Sequence, residues 1–162
     1  MSSRPDIHHL RLSVKLAEEA LLAGDDPFGS VLVDDATGAV LHQDRNRVTT
    51  GADATYHPEI ELARWAQKNL SPEARRATTV YTSGEHCAMC TMAHAYCGLG
   101  RIIFVSSSEQ YRAWRAEFGA PAARVAPLGI KDVAPDIVVE GPISGLDEEV
   151  KELQRRRLTG GK

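Results

Sequence analysis

The 162-residue chain lacks any apolar run approaching ~18 residues, so no transmembrane span is expected. Its opening, MSSRPDIHHL, has neither the apolar stretch of ~7–15 residues nor the small-residue cleavage pattern of a secretory leader. Charge of one sign is lacking too. The 19 basic and 22 acidic side chains leave a net charge of −3, which weighs against a dedicated polyanion binder. Cysteine is scarce and poorly spread for a disulfide framework, because Cys87, Cys90 and Cys97 are the only three and sit close together. An odd, clustered set suits metal ligands or free thiols in a reducing compartment, and a cytoplasmic location is expected. There is no internal repeat, and the one biased tract is Arg155-Arg156-Arg157. The remainder is ordinary: 43% hydrophobic and 25% charged residues exclude collagen-like and wholly disordered chains. The length suits one domain over 1–162, with a core over about 5–140 and a C-terminal helix over about 145–158.

Ile7, Leu10, Val14, Ala17 and Leu21 recur at helical spacing and predict a helix from about residue 5 to 23, stopped at Gly24-Asp25-Asp26-Pro27. Phe28 to Val33 is a short apolar run. Turn chemistry from Asp34 to Gly38 then leads into Ala39-Val40-Leu41, so a hairpin is expected. After a polar stretch from Thr49 to Tyr56, Pro58 suits the first turn of a helix, where a missing N–H costs nothing. Leu62, Ala63, Ala66 and Leu70 mark the apolar face of that helix, which Ser71-Pro72 ends. Thr78 to Thr82 reads as a strand, Cys87 to Cys97 as a helix stopped by Gly98, and Arg101 to Val105 as a buried strand. Tyr111, Trp114 and Phe118 place a helix over Ser108–Phe118, whereas residues 119–135 hold three prolines and no clear period. Ile137 to Val139 reads as an edge strand, and Leu146, Val150 and Leu153 give a last helix. This order predicts the α/β class, with helices covering a mixed sheet.

Cys87-Ala88-Met89-Cys90 sets two thiols one helical turn apart on one face, where both can bind a soft, tetrahedral cation. A lone pair of this spacing equally suits redox chemistry. His57, at another expected helix start, would complete a three-ligand site with a fourth position left for water, as in catalytic zinc. Glu59, two residues on, is close enough to reach such a water without joining the ligands. A carboxylate there can take the water's proton and deliver it to a leaving group.

His57-Pro58-Glu59 followed by Glu85-His86-Cys87-Ala88-Met89-Cys90 resembles the H-x-E and P-C-x-x-C signature of the zinc-dependent cytidine deaminase-like superfamily. Pro27-Phe28-Gly29, Asn46 and Thr82-Ser83-Gly84-Glu85 are similar to the branch that holds guanine, guanosine and tRNA adenosine deaminases. The resemblance covers residues 5 to 105 well and the last third only in outline. Two positions depart from the pattern. His86 stands where Pro is usual, and Pro58 where Ala is common; neither removes a ligand or the acid/base. The resemblance implies a three-layer α-β-α fold on a five-stranded mixed sheet. It also implies one zinc ion per chain on His57, Cys87 and Cys90, with Glu59 as the proton-transferring residue. The implied reaction is hydrolytic release of ammonia from a cyclic amidine. Asn46 corresponds to a substrate-orienting asparagine and Phe28 to an aromatic lining the base pocket, and a homodimer is the expected assembly.

Several residues carry plainer readings as well. Asn46 suits a turn, and Phe28 divides between pocket and core. Trp114, in the stripe with Tyr111 and Phe118, is a core residue or part of a lid over the substrate. His86 reads as a helix-start surface residue or a substrate contact. Glu85 is expected to accept backbone N–H bonds. His94 is read as a packed side chain, and Cys97, two turns or ~10 Å beyond Cys90, as a core thiol. For function, the first reading is a deaminase of a free nucleobase, nucleoside or related amino-heterocycle, such as guanine-, cytosine- or aminotriazine-like compounds. The alternatives are a tRNA adenosine deaminase and an inactive zinc-stabilised binding domain. Scattered arginines weigh against the RNA reading, and the presence of Glu59 against the inactive one.

Overall fold

The computed structural model describes residues 4–161. Helix α1 (Ile7–Ala23) starts where the Asp6 carboxylate accepts the His8 N–H at 2.9 Å, and it ends at Gly24, whose φ of 95° only glycine adopts without strain. Then follow β1 (Gly29–Asp34), β2 (Val40–Arg45), α2 (Pro58–Asn69), α3 (Pro72–Arg76), β3 (Thr78–Gly84) and α4 (Ala88–Cys97). The rest of the chain gives β4 (Arg101–Ser106), α5 (Ser108–Glu117), α6 (Ile130–Val133), β5 (Val139–Glu140) and α7 (Leu146–Leu158). The five strands form one mixed sheet in the order β2-β1-β3-β4-β5. The hairpin β1/β2 and the pair β1/β3 are antiparallel, whereas β3/β4 and β4/β5 are parallel.

Alternation along the strands feeds two cores, one on each face of the sheet. Val31, Val33, Tyr81, Ile103 and Val105 meet Leu10, Val14 and Ala17 of α1, Trp114 of α5, and Leu146, Val150 and Leu153 of α7. On the other face Leu32, Val80, Ile102 and Phe104 meet Leu62, Ala63 and Ala66 of α2 and Ile130 of α6. The expected three layers are therefore present: α1, α5 and α7, then the sheet, then α2, α4 and α6. Among the described residues, no helix is long and apolar enough to cross a membrane.

Differences from the sequence-based expectations are local. Strand β2, which begins at Val40, runs to Arg45; as the half-exposed edge strand its polar second half shows no apolar alternation to mark its end in the sequence. Ser71-Pro72 ends α2 as expected but also opens the short α3, with the Ser71 hydroxyl capping the Ala74 N–H. A single turn, α6, interrupts the aperiodic stretch after residue 119. The last strand is an edge, two residues long.

Candidate functional site

The site lies at one end of the sheet, where β1 begins and where β2 and β3 end. His57 is the N-cap of α2 and Cys87 the N-cap of α4, so two helix starts converge there, with Cys90 one turn into α4. Pro58 holds the first position of α2 and leaves no N–H unsatisfied. The Nδ1 atom of His57 lies 3.6 Å from the Sγ atoms of both Cys87 and Cys90. All three potential ligand atoms fall within 4.8 Å of one another, the one such group of His, Cys and carboxylate side chains among the described residues. A tetrahedral zinc with Zn–S of ~2.3 Å and Zn–N of ~2.0–2.1 Å requires N···S edges of about 3.5–3.6 Å. The residues fit zinc in type, number and spacing, and three protein ligands leave one corner of the tetrahedron open.

Electrostatics favour a cation. A bond from Cys90 lowers the Cys87 thiol to about 4, and the partial positive charge of the helix start works in the same direction. That bond and burial push Cys90 up, and contact with the Cys87 sulfur raises His57. A metal ion would replace this shared proton.

Glu59 stands beside the ligands in the first turn of α2 and is only 5% exposed. Burial raises its carboxyl to about 7, a shift opposed by His57 and assisted by Cys87. Its Oε1 lies 3.4 Å from Ser30 Oγ, which in turn meets Thr82 Oγ1 at 2.8 Å. Ser30 and Thr82 face each other across β1 and β3. Sequence reasoning missed Ser30; the signal was a lone hydroxyl inside the apolar run from Phe28 to Val33.

Asn46 and Phe28 lie at the same end of the sheet. The Asn46 N–H donates to the Phe28 carbonyl at 3.0 Å, and its Oδ1 accepts from the Val48 N–H at 3.0 Å. Among the described residues nothing pairs with the Asn46 side-chain amide nitrogen, although the residue is only 3% exposed. The Phe28 ring rests edge-on to Tyr111 at 5.4 Å. It also rests on Gly84, where a Cβ would come within 3.0 Å of the ring.

Two further residues expected at the substrate are buried. Trp114 packs into the core between the sheet and α1, α5 and α7, on the opposite face from α2 and α4, so its 7% exposure reflects burial in that core. His86 is not on the surface. It is fully buried, its ring edge-on to His94 at 5.5 Å, and neither ring nitrogen has a protein partner. From its place just before the cap of α4, the ring reaches along the helix to pack against His94. The plainer readings fare better. Glu85 accepts the Ser108 and Ile130 N–H groups at 3.0 and 2.7 Å, and His94 bonds the Gly100 carbonyl at 2.7 Å. Cys97 packs against the core beneath α2.

A mixed sheet whose helix starts gather one histidine, two cysteines and a buried carboxylate defines a metal-binding α/β domain with an open coordination corner. The chain belongs to the family described by the cytidine and deoxycytidylate deaminase zinc-binding region, which matches residues 3–106. A probable cytosine deaminase of Schizosaccharomyces pombe is 36% identical over 110 residues, covering 66% of this chain and 64% of that protein. A tRNA-specific adenosine deaminase of Haemophilus influenzae is 33% identical over 98 residues, covering 60% and 56%. A guanine deaminase of Bacillus subtilis is 42% identical over 82 residues, covering 50% and 51%. A crystal structure of guanine deaminase from that organism has a TM-score of 0.57 at 27% identity, covering 76% of this chain and 82% of that one. The matches span about half to two thirds of these curated relatives' length.

Proposed function

We propose that the protein is a zinc-dependent aminohydrolase acting on a free nucleobase, nucleoside or related amino-heterocycle, with His57, Cys87 and Cys90 as ligands. The observation that carries this reading is the buried Glu59 carboxyl set beside three ligand atoms at zinc spacing. Bound there, zinc supplies the Lewis acidity that brings the pKa of water from 15.7 toward ~7. Glu59 takes one proton of the attacking water and gives it to the adjacent ring nitrogen, then carries the proton of the newly added hydroxyl to the departing amine. Water adds at the amino-bearing carbon, the C–N bond breaks, and ammonia leaves. A carboxyl tuned near neutrality can both accept and release protons in these steps. The side-chain amide of Asn46 donates to the substrate, and the Phe28 ring lines its flat face. His86 and Trp114 take no part. The protein works in the cytoplasm, as a homodimer.

The similarity to tRNA-specific adenosine deaminases supports a second reading, in which the amidine is an adenosine of an RNA loop. Ammonia release from zinc-loaded protein, over a panel of bases, nucleosides, aminotriazines and an anticodon stem-loop, separates the two. Release from free compounds, lost in Glu59→Gln, is expected. Release from the stem-loop alone would replace the first reading with the second. Silence across the panel with one zinc per chain would contradict both.

A further inference from the structure

A buried polar junction outside the metal centre lies at Asp25, just after α1. Its carboxylate is fully buried and takes four hydrogen bonds. Oδ1 accepts the N–H groups of Thr49 and Thr50 at 2.9 and 2.8 Å. Oδ2 accepts from the Thr50 hydroxyl at 2.7 Å and from Arg45 Nη1 at 2.8 Å. Burial opposes the charge, but these donors outweigh it and hold the carboxyl below its ordinary value. All of the donors belong to the end of β2 or to the loop that leads from it toward His57.

One contact ties this junction to the site. The same Arg45 Nη1 that meets Asp25 also donates to the backbone carbonyl of Asn46, at 2.9 Å. Asn46 is thereby fixed through its N–H, its carbonyl and its Oδ1, while its amide nitrogen stays available. We infer that Asp25, through Arg45 and the Thr49–Thr50 backbone, is the positioning residue that aims the Asn46 amide at the substrate. The inference rests on the proposed role of Asn46. Asp25 touches no substrate itself. It replaces the mobility of a long polar loop with one charged anchor, so substrate binding need not order that loop.

Asp25→Asn is the direct test. It keeps the shape but turns one acceptor into an N–H₂ facing the Arg45 guanidinium and the Thr50 hydroxyl. Zinc content is expected to stay at one per chain, and amide exchange over residues 46–50 to accelerate. With the substrate found by the panel, kcat/KM is expected to fall about 10-fold, chiefly through KM, as for a lost hydrogen bond to the substrate. The double variant Asp25→Asn/Asn46→Ala should be no worse than Asn46→Ala alone, because the two act in series. Thr50→Val, at the exposed rim, should move exchange and KM the same way by a smaller factor, and it decides the matter if Asp25→Asn does not fold. Additive effects in the double variant would overturn the inference. So would unchanged exchange in Thr50→Val and Asp25→Asn, which also decides if no compound is turned over. If Asn46→Ala leaves KM unchanged while exchange responds to Asp25→Asn, the substrate role of Asn46 fails and the anchoring stands.

Discussion

His57, Glu59, Cys87 and Cys90 occupy the first turns of two helices, whereas Phe28 and Asn46 stand on loops whose anchors come from all over the chain. Asp25 and Arg45 hold the Asn46 loop. From the far end of the sequence, Gln154 of α7 donates to the Pro27 carbonyl at 3.2 Å, and Arg157 pairs with Asp26 at 2.8 Å and reaches the Thr49 hydroxyl at 3.3 Å. One wall of the site is local and needs only two capped helix starts packed together. The other is non-local and includes α7, beyond the residues matched by the family. On the proposed function, the bond-making chemistry rests on a few close positions and substrate recognition on contacts gathered from distant parts of the chain.

The largest effects should fall on the local wall. Stripping zinc with a chelator is expected to abolish ammonia release, and adding one equivalent back to restore it. Glu59→Gln should lower turnover by about 10²–10⁴-fold with zinc content unchanged, measured by steady-state kinetics beside metal analysis. A variant that keeps its rate would break the division between the walls at its strongest point.

Trp114→Ala sharpens the boundary from the other side. Removing a ring from the core between α1, α5 and α7 should cost about 3–5 kcal/mol in denaturant titration. KM of the remaining folded protein should be unchanged. A raised KM with little loss of stability would return Trp114 to the substrate wall.

The metal-free protein offers a pH test. Burial lifts Glu59 from 4.5 to about 7, so the folded state holds a proton that the unfolded chain has already released. Stability should therefore fall as pH rises through that window. Glu59→Gln, which cannot titrate, should gain on wild type by about 2–3 kcal/mol between pH 5 and pH 8. Equal pH dependence in thermal melts of the two zinc-free proteins would show that the pocket does not desolvate the carboxyl.

The smallest effect is expected at the non-local wall. Asn46→Ala should reduce kcat/KM by about 10-fold, largely in KM, for the loss of one hydrogen bond to the substrate. A fall in kcat alone would place Asn46 with the chemistry instead.

This division also explains what could be read from the sequence. Ligand spacing within one helical turn, Pro58 at a helix start and the short continuous apolar runs of β1 and β4 are local patterns, so the metal centre and the layered fold were legible. Whether a polar residue is buried is not a local property. His86 looked like a surface residue because nothing in its neighbours shows that it packs against His94. Trp114 sat on a helical stripe that could serve core or lid, and only the sheet's two faces decide between them. Asp25 reads as turn chemistry after Gly24, and its four donors come from residues 45–50. Gln154 lies in an ordinary amphipathic helix and reaches 127 residues back to Pro27.

The central claim is hydrolytic deamination at the His57–Cys87–Cys90 centre. The most direct test is turnover of the best panel substrate in ¹⁸O-labelled water, using zinc-loaded and chelator-treated protein. The expected result is one labelled oxygen in the product for each ammonia released, with neither formed after chelation. Unlabelled product, or turnover that survives removal of the metal, would contradict it.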